Sequence, residues 1–256
     1  MDEVNREYIR HFNQATEHYL LCRPSYPPEL FNYLAQLVKH EVTVWDCGTG
    51  NGQAAKALAE HFAKVIATDI NQAQLDVAML SPNIQYLCTP AEKTPIPSGS
   101  IGLVTVAQAL HWFNFSLFYD EVRRVSTPEG VIAVWCYGLG LFDDDVINGF
   151  IKKLYNDILG SDYWPKERLF IDENYKTIPF PFRLIDTPEL SIKKRMNFEQ
   201  LIGYLSTWSA VKEFQDRQGL NPINLIMNEL LSSWGNVTKE REITWPLYSL
   251  IGAIHS

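Results

Sequence analysis

The sequence predicts an α/β fold in which a mostly parallel sheet carries helices on both faces. Three observations predict it. Short apolar, β-branched runs alternate with helical periods from residue 42 to residue 135. The first run ends in a glycine-rich turn, Gly48-Thr49-Gly50-Asn51-Gly52, that opens a helix. After Gly138 the alternation weakens, and a last strand-like run at residues 243–254 returns to close the sheet. Strands that alternate with helices need parallel pairing, because only a long crossover can return the chain to the same end of a sheet.

Each element has a local reason. Residues 5–20 read as a helix with Tyr8, Phe12 and Tyr19 on one face. The run Arg23-Pro24-Ser25-Tyr26-Pro27-Pro28 ends it, and its prolines can start the next helix at 29–38. Residues 42–47 form a buried strand, 53–62 a helix and 65–68 a second strand. A helix at 71–80 stops at Ser81-Pro82, where the residue before proline is pushed out of helical geometry. Strands follow at 84–87, 101–106 and 131–135, with a helix at 117–125 between the last two. Thr127-Pro128-Glu129-Gly130 reads as a turn. Residues 143–159 and 198–234 are helical, and 160–190 hold scattered aromatics and prolines without a period. The expected organisation is an N-terminal helical cover (1–38), a ligand-binding core (39–139), an insertion forming a substrate lid (140–235) and a final strand segment (236–256).

Composition excludes several classes of function. The 256 residues are 46% hydrophobic and 20% charged, ordinary for a globular chain that buries its own core. A net charge of −8 argues against a general binder of phosphate backbones, so no nucleic-acid partner is expected. The four cysteines, Cys22, Cys47, Cys88 and Cys136, include no CxxC pair, so no metal site is expected and the thiols read as free and buried. The N-terminus is polar, and no apolar run is long enough to span a bilayer. A cytoplasmic protein without a membrane partner is the expectation. Nothing in the pattern decides the oligomeric state.

The sharpest signal is Asp46-Cys47-Gly48-Thr49-Gly50-Asn51-Gly52, placed between a strand and a helix. Glycines let the backbone turn tightly and let a ligand approach the main chain. Asp69 follows Asp46 by 69 − 46 = 23 positions and ends the second strand. There a carboxylate can accept hydrogen bonds from both ribose hydroxyls of a nucleoside. A dinucleotide prefers G-x-G-x-x-G, but here the third glycine arrives one place early, at Gly52. Asp46 discriminates further, since a carboxylate at the turn would repel a diphosphate and attract a cation. S-adenosylmethionine, with an ammonium and a sulfonium and no phosphate, fits that site better. A dinucleotide and a purely structural turn are the other readings.

These residues, with Ala91-Glu92 and Ala107-Gln108-Ala109-Leu110-His111-Trp112-Phe113, resemble the motifs of class I S-adenosylmethionine-dependent methyltransferases. The sequence is most similar to the small-molecule branch that includes trans-aconitate methyltransferase-like proteins. Arg23-Pro24-x-Tyr26-Pro27, Thr207-Trp208-Ser209-Ala210 and Trp245-Pro246-Leu247-Tyr248 extend the resemblance nearly end to end. The family's more usual proline followed by two glycines before the fifth strand is replaced here by Pro128-Glu129-Gly130.

The resemblance implies a Rossmann-like sheet of seven mostly parallel strands, the last one antiparallel. It implies that Gly48 and Gly50 line the methionine part of S-adenosylmethionine and that Asp46 helps hold its ammonium. Asp69 would bind the ribose, and Ile70 would pack on the adenine with Ala91 and Glu92 flanking it. Gln108 and His111 would close over the methyl end, and Tyr19 and Arg23 would cover the cofactor. Trp112 and Trp208 are candidates for contact with the methyl acceptor. No acid–base constellation names a catalytic residue, which favours a self-ionising acceptor such as a carboxylate on a small molecule. The competing reading is a protein that keeps the cofactor site without transfer activity.

Overall fold

The computed structural model describes residues 24–255. The helix expected at 5–20, with Tyr19 and Arg23, lies outside the described residues. The described chain divides into two compact units. The first comprises Ser25–Leu139, Glu167–Ile192 and the residues from Pro246 on; the second comprises Gly140–Lys166 and Lys193–Trp245.

In chain order the elements of the first half are α1 (Pro28–Leu37), β1 (Thr43–Cys47), α2 (Gln53–Leu58), β2 (Lys64–Asp69), α3 (Gln72–Leu75), β3 (Ile84–Cys88), β4 (Ile101–Ala107), α4 (Phe115–Val125) and β5 (Ser126–Tyr137). Next come β6 (Leu141–Phe142), α5 (Asp145–Lys152), a π-helical continuation at Lys153–Leu159, α6 (Gly160–Tyr163), α7 (Arg168–Asp172), β7 (Arg183–Ile185) and β8 (Leu190–Met196). The chain finishes with α8 (Phe198–Ser206), α9 (Ser209–Gln218), α10 (Met227–Trp234) and β9 (Arg241–Ala253). No helix among the described residues is long and apolar enough to cross a membrane.

The first unit is built on strands in the order β3-β2-β1-β4-β5-β9. The pairs from β3 to β5 are parallel, as the alternation predicts, and β9 runs antiparallel to β5 from Val131↔Ala253 to Tyr137↔Leu247. β4 is buried throughout all but its last residue, and the interior of β1 and β2 is buried as well. That is the signature of strands covered on both faces. A buried indole reinforces the centre, Trp45 Nε1 donating to Thr68 Oγ1 at 2.9 Å. Helix α4 starts where the Asn114 side chain accepts from the Leu117 N–H, and it buries Phe118, Tyr119, Val122 and Val125. Its Glu121 is also buried, bonded by Arg124 and by the backbone and hydroxyl of Thr94. Arg124 further donates to the carbonyls of Thr94 and Ile96, so this pair clamps the loop after β3.

The second unit has its own core, with Leu154, Leu201, Leu205, Trp208, Val211, Leu230, Trp234 and Trp245 all buried. α8 opens with a capping box between Asn197 and Gln200. Asp144 caps α5 and pairs with Arg241, which lies over the Trp234 ring.

Four expectations are corrected. The turn expected at 127–130 is instead the start of β5, which runs over Ser126–Tyr137. The strands number nine among the described residues rather than the seven that the resemblance implies: the six runs read from the sequence correspond to β1–β5 and β9, and β6, β7 and β8 were not legible. β6 has two residues and β7 three, too short for an alternating pattern to register. The helix expected at 71–80 is only Gln72–Leu75. Beyond it the backbone is used elsewhere: the Met79 N–H donates to the Asn51 carbonyl, and the Met79 carbonyl accepts from the Tyr86 hydroxyl. Cys88 is exposed, whereas Cys47 and Cys136 are buried.

Candidate active site

The strand order reverses direction of growth between β1 and β4. Open α/β sheets bind ligands outside the carboxyl ends of their strands at this point. A cavity of about 300 Å³ occupies it, within the size range of small-ligand sites. Every lining residue belongs to the first unit. Cys47 and Gly48 come from the end of β1 and just past it, Thr68, Asp69 and Ile70 from the end of β2 and just past it, Thr89 to Glu92 from the loop after β3, and Ala109, Trp112 and Phe113 from beyond β4.

The glycines of the turn have separate reasons. Gly48, Gly50 and Gly52 all have positive φ, at 68°, 57° and 80°. Gly48 also lies against the loop after β4, where a Cβ would stand 2.6 Å from the Ala109 Cβ. Gly52 faces Tyr86, whose hydroxyl would be 2.2 Å from an added Cβ. The early third glycine is therefore required by a tyrosine of β3. At Gly50 an added Cβ would meet only Gln74 Oε1, at 3.9 Å, so its φ rather than crowding calls for glycine, and its N–H donates to Asp69 Oδ2 at 2.8 Å.

Two carboxylates flank the turn in different settings. Asp46 is fully buried beneath it. Its two oxygens accept from Thr105 Oγ1 at 2.8 Å and Thr49 Oγ1 at 2.5 Å. Burial pushes the Asp46 carboxyl up to about 6, against the lowering effect of those hydroxyls and of the Ala55 backbone N–H. Asp69 is half-buried at the cavity and accepts from the N–H groups of Gly50 and Asn71, each at 2.8 Å. An ionised carboxylate has about four acceptor positions, so further donors can bind it. Next to it Ile70 is 75% exposed, an apolar side chain presented at the cavity rim.

Also lining the cavity, Ala91 is buried and Glu92 half-buried. Glu92 Oε1 accepts from the backbone N–H of Asn114 at 2.9 Å, which ties the β3 loop to the start of α4. Gln108 has φ 57°, in the left-handed region, and its side-chain amide pairs with both backbone groups of Tyr137. It thus staples the end of β4 to the end of β5. His111 is buried, its Nδ1 is 3.0 Å from the Tyr175 hydroxyl, and burial with the nearby Arg168 charge lowers it to about 4. Trp112 is 57% exposed and lines the cavity beside it.

Of the expected site residues, Gly48, Asp69, Ile70, Ala91, Glu92 and Trp112 line the cavity. Asp46 lies buried beneath the turn, Gly50 bonds to Asp69, His111 packs beside Trp112, and the Gln108 amide is committed to Tyr137. Tyr19 and Arg23 lie outside the described residues. Trp208 belongs to the second unit, buried among Tyr155, Trp164 and Tyr204 at ring distances of 5.6 to 5.8 Å. Sequence reasoning missed Thr49 and Thr105 on Asp46, Tyr86 against Gly52, and Tyr175 on His111. Thr49 stands three positions from Asp46 in the glycine turn and could have been found from that spacing, whereas Thr105, Tyr86 and Tyr175 lie on distant elements that no local spacing signals.

Comparison with known proteins identifies the family. Residues 45–134 match the family model described as a methyltransferase domain. A Dictyostelium discoideum protein named as a methyltransferase is 32% identical over 249 residues, covering 94% of this chain and 93% of its own. A Saccharomyces cerevisiae protein named as an S-adenosylmethionine-dependent methyltransferase is 30% identical over 65% of this chain and 58% of its own. A solved structure from Anaeromyxobacter dehalogenans, described as a type II methyltransferase, is 38% identical with a TM-score of 0.84. It covers 91% of this chain and 98% of that one.

Proposed function

We propose a small-molecule methyl acceptor for this chain, which belongs to the S-adenosylmethionine-dependent methyltransferases and is an enzyme of that class. The observation that carries the proposal is the cavity at the strand ends, whose size of about 300 Å³ suits a small ligand. The net charge of −8 supports it, because an acidic chain is a poor match for a nucleic-acid acceptor.

In this reading the donor lies along the cavity. Asp69 takes the ribose hydroxyls with the acceptor positions left by Gly50 and Asn71, and Ile70 packs on the adenine with Ala91 and Glu92 beside it. Gly48 and Gly50 border the methionine part, with Asp46 acting from beneath the turn through Thr49. Gln108 and His111 stand toward the methyl end, and Trp112 faces the acceptor. Arg23 and Tyr19 are proposed to cover the donor, with Arg23 on its carboxylate. Bound S-adenosylmethionine would supply an activated methyl carbon; the protein orients the reactants and excludes water. With His111 lowered to about 4, this site offers a weak base at neutral pH. That favours an acceptor already ionised, such as a carboxylate, which needs no proton removed.

The test is incubation of the protein with methyl-tritiated S-adenosylmethionine and a size-fractionated cell extract. Label in compounds of metabolite size is expected. Label confined to protein or nucleic acid would overturn the proposal.

A further inference from the structure

We infer that Tyr175 is a positioning residue for methyl transfer: its hydroxyl fixes the His111 ring, and His111 in turn fixes Trp112 at the wall of the cavity. The inference rests on the reading of that cavity as the donor site. It starts from backbone strain. After α7 the chain turns through Asn174 and Tyr175, with φ 59° and 60°. Asparagine tolerates the left-handed region, but a bulky aromatic there is a genuine outlier. Such strain persists only where its surroundings hold it, and it clusters at functional sites.

What the strained turn achieves is specific. The Tyr175 N–H donates to the Phe170 carbonyl at 2.8 Å, and the ring is buried to 1% exposure. Its hydroxyl then meets His111 Nδ1 at 3.0 Å. Around it Phe170 packs edge-on against Phe115, and the Tyr119 hydroxyl donates to the Pro179 carbonyl. The His111 ring lies 5.1 Å from that of Trp112, the exposed indole on the cavity wall. Burial and Arg168 disfavour the imidazolium, while burial disfavours the Tyr175 phenolate. The pair is therefore an imidazole and a phenol at neutral pH, and their hydrogen bond selects which ring nitrogen carries the proton. This parallels the way outer partners orient a functional imidazole elsewhere.

The experiment compares wild type with Tyr175→Phe, which keeps the ring and removes only the hydroxyl. Three quantities are read: His111 ring-nitrogen shifts by NMR on histidine-labelled protein, S-adenosylhomocysteine affinity, and label transfer to whichever extract fraction accepts it. The shifts should change and transfer should fall by about tenfold, less than the roughly 100-fold that a 1 Å misplacement can cost. Affinity should hold within about threefold. Tyr175→Phe combined with His111→Asn should transfer no more slowly than His111→Asn alone, since Tyr175 acts through the histidine. Unchanged shifts, or losses that multiply in the double variant, would overturn the inference. If Tyr175→Phe does not fold, His111→Asn decides: unchanged transfer overturns it, and reduced transfer with retained affinity supports it. If wild type labels only macromolecules, the acceptor proposal fails while this comparison stands. If wild type labels nothing, the NMR shifts decide alone.

Discussion

Replacing Gly52 by alanine tests the physical account of the turn. At φ 80° an L-residue is strained, at a cost of about 1–2 kcal/mol. The new Cβ would also stand 2.2 Å from the Tyr86 hydroxyl oxygen and 3.1 Å from its Cζ, so Tyr86 must move. Moving it breaks the 2.6 Å bond to the Met79 carbonyl, worth about 1 kcal/mol, and disturbs packing by about 1–3 kcal/mol more. The whole effect is on the order of 4 kcal/mol, which for a chain of this size lowers the melting temperature by roughly 10 °C. Tyr86→Phe alone should cost about 1 kcal/mol. In the double variant the oxygen clash is gone, so about half of the Gly52→Ala loss should return while the φ cost stays. Thermal unfolding followed by circular dichroism reads all four proteins. A Gly52→Ala protein that melts with wild type, or a double variant no better than the single, would refute the reasoning.

Asp69→Ala should weaken S-adenosylhomocysteine binding by about 10²–10³-fold, the loss of two hydrogen bonds to a charged acceptor; calorimetry with an unchanged dissociation constant would contradict the ribose assignment. Two buried groups should oppose each other in the pH dependence of stability. Asp46 is raised from 3.8 to about 6, so the native state holds its proton longer and this contribution falls as pH rises through that window, by roughly 3 kcal/mol. His111 is lowered from 6.5 to about 4, so its contribution falls as pH drops, by a similar amount of roughly 3 kcal/mol. Between pH 6.5 and 4 Asp46→Asn should therefore lose stability more steeply than wild type, and His111→Gln less steeply; parallel melting curves would count against both assignments. Gln108→Ala should destabilise by about 2 kcal/mol through two lost bonds to Tyr137, while donor affinity changes less than about threefold. An affinity loss well beyond that, without a drop in melting temperature, would put the Gln108 side chain on the donor.

The strands of the core were legible because most are short β-branched runs bounded by turn residues, and β1 to β4 and β9 lie close to where that pattern sets them, whereas β5 begins at Ser126 and takes in the turn expected at 127–130. The glycine turn and Asp69 were legible for a related reason, since strand, turn and helix follow one another in the chain. What the pattern could not carry was anything set by contacts between distant elements. Gly52 illustrates this: the motif registers the glycine, but its cause is Tyr86, on another strand. The helix at 71–80 failed likewise, because Asn51 and Tyr86 take the Met79 backbone groups that a helix would use. Tyr175 carried no signal at all, since it reaches His111 across 64 positions through a strained turn.

The most direct measurement is isothermal titration of the wild-type chain with S-adenosylhomocysteine, repeated with Asp69→Ala. One site per chain in the micromolar range, lost or strongly weakened in the variant, is the result predicted for a donor held at the ends of β1, β2, β3 and β4. No heat at millimolar ligand, or equal binding by both proteins, would contradict it.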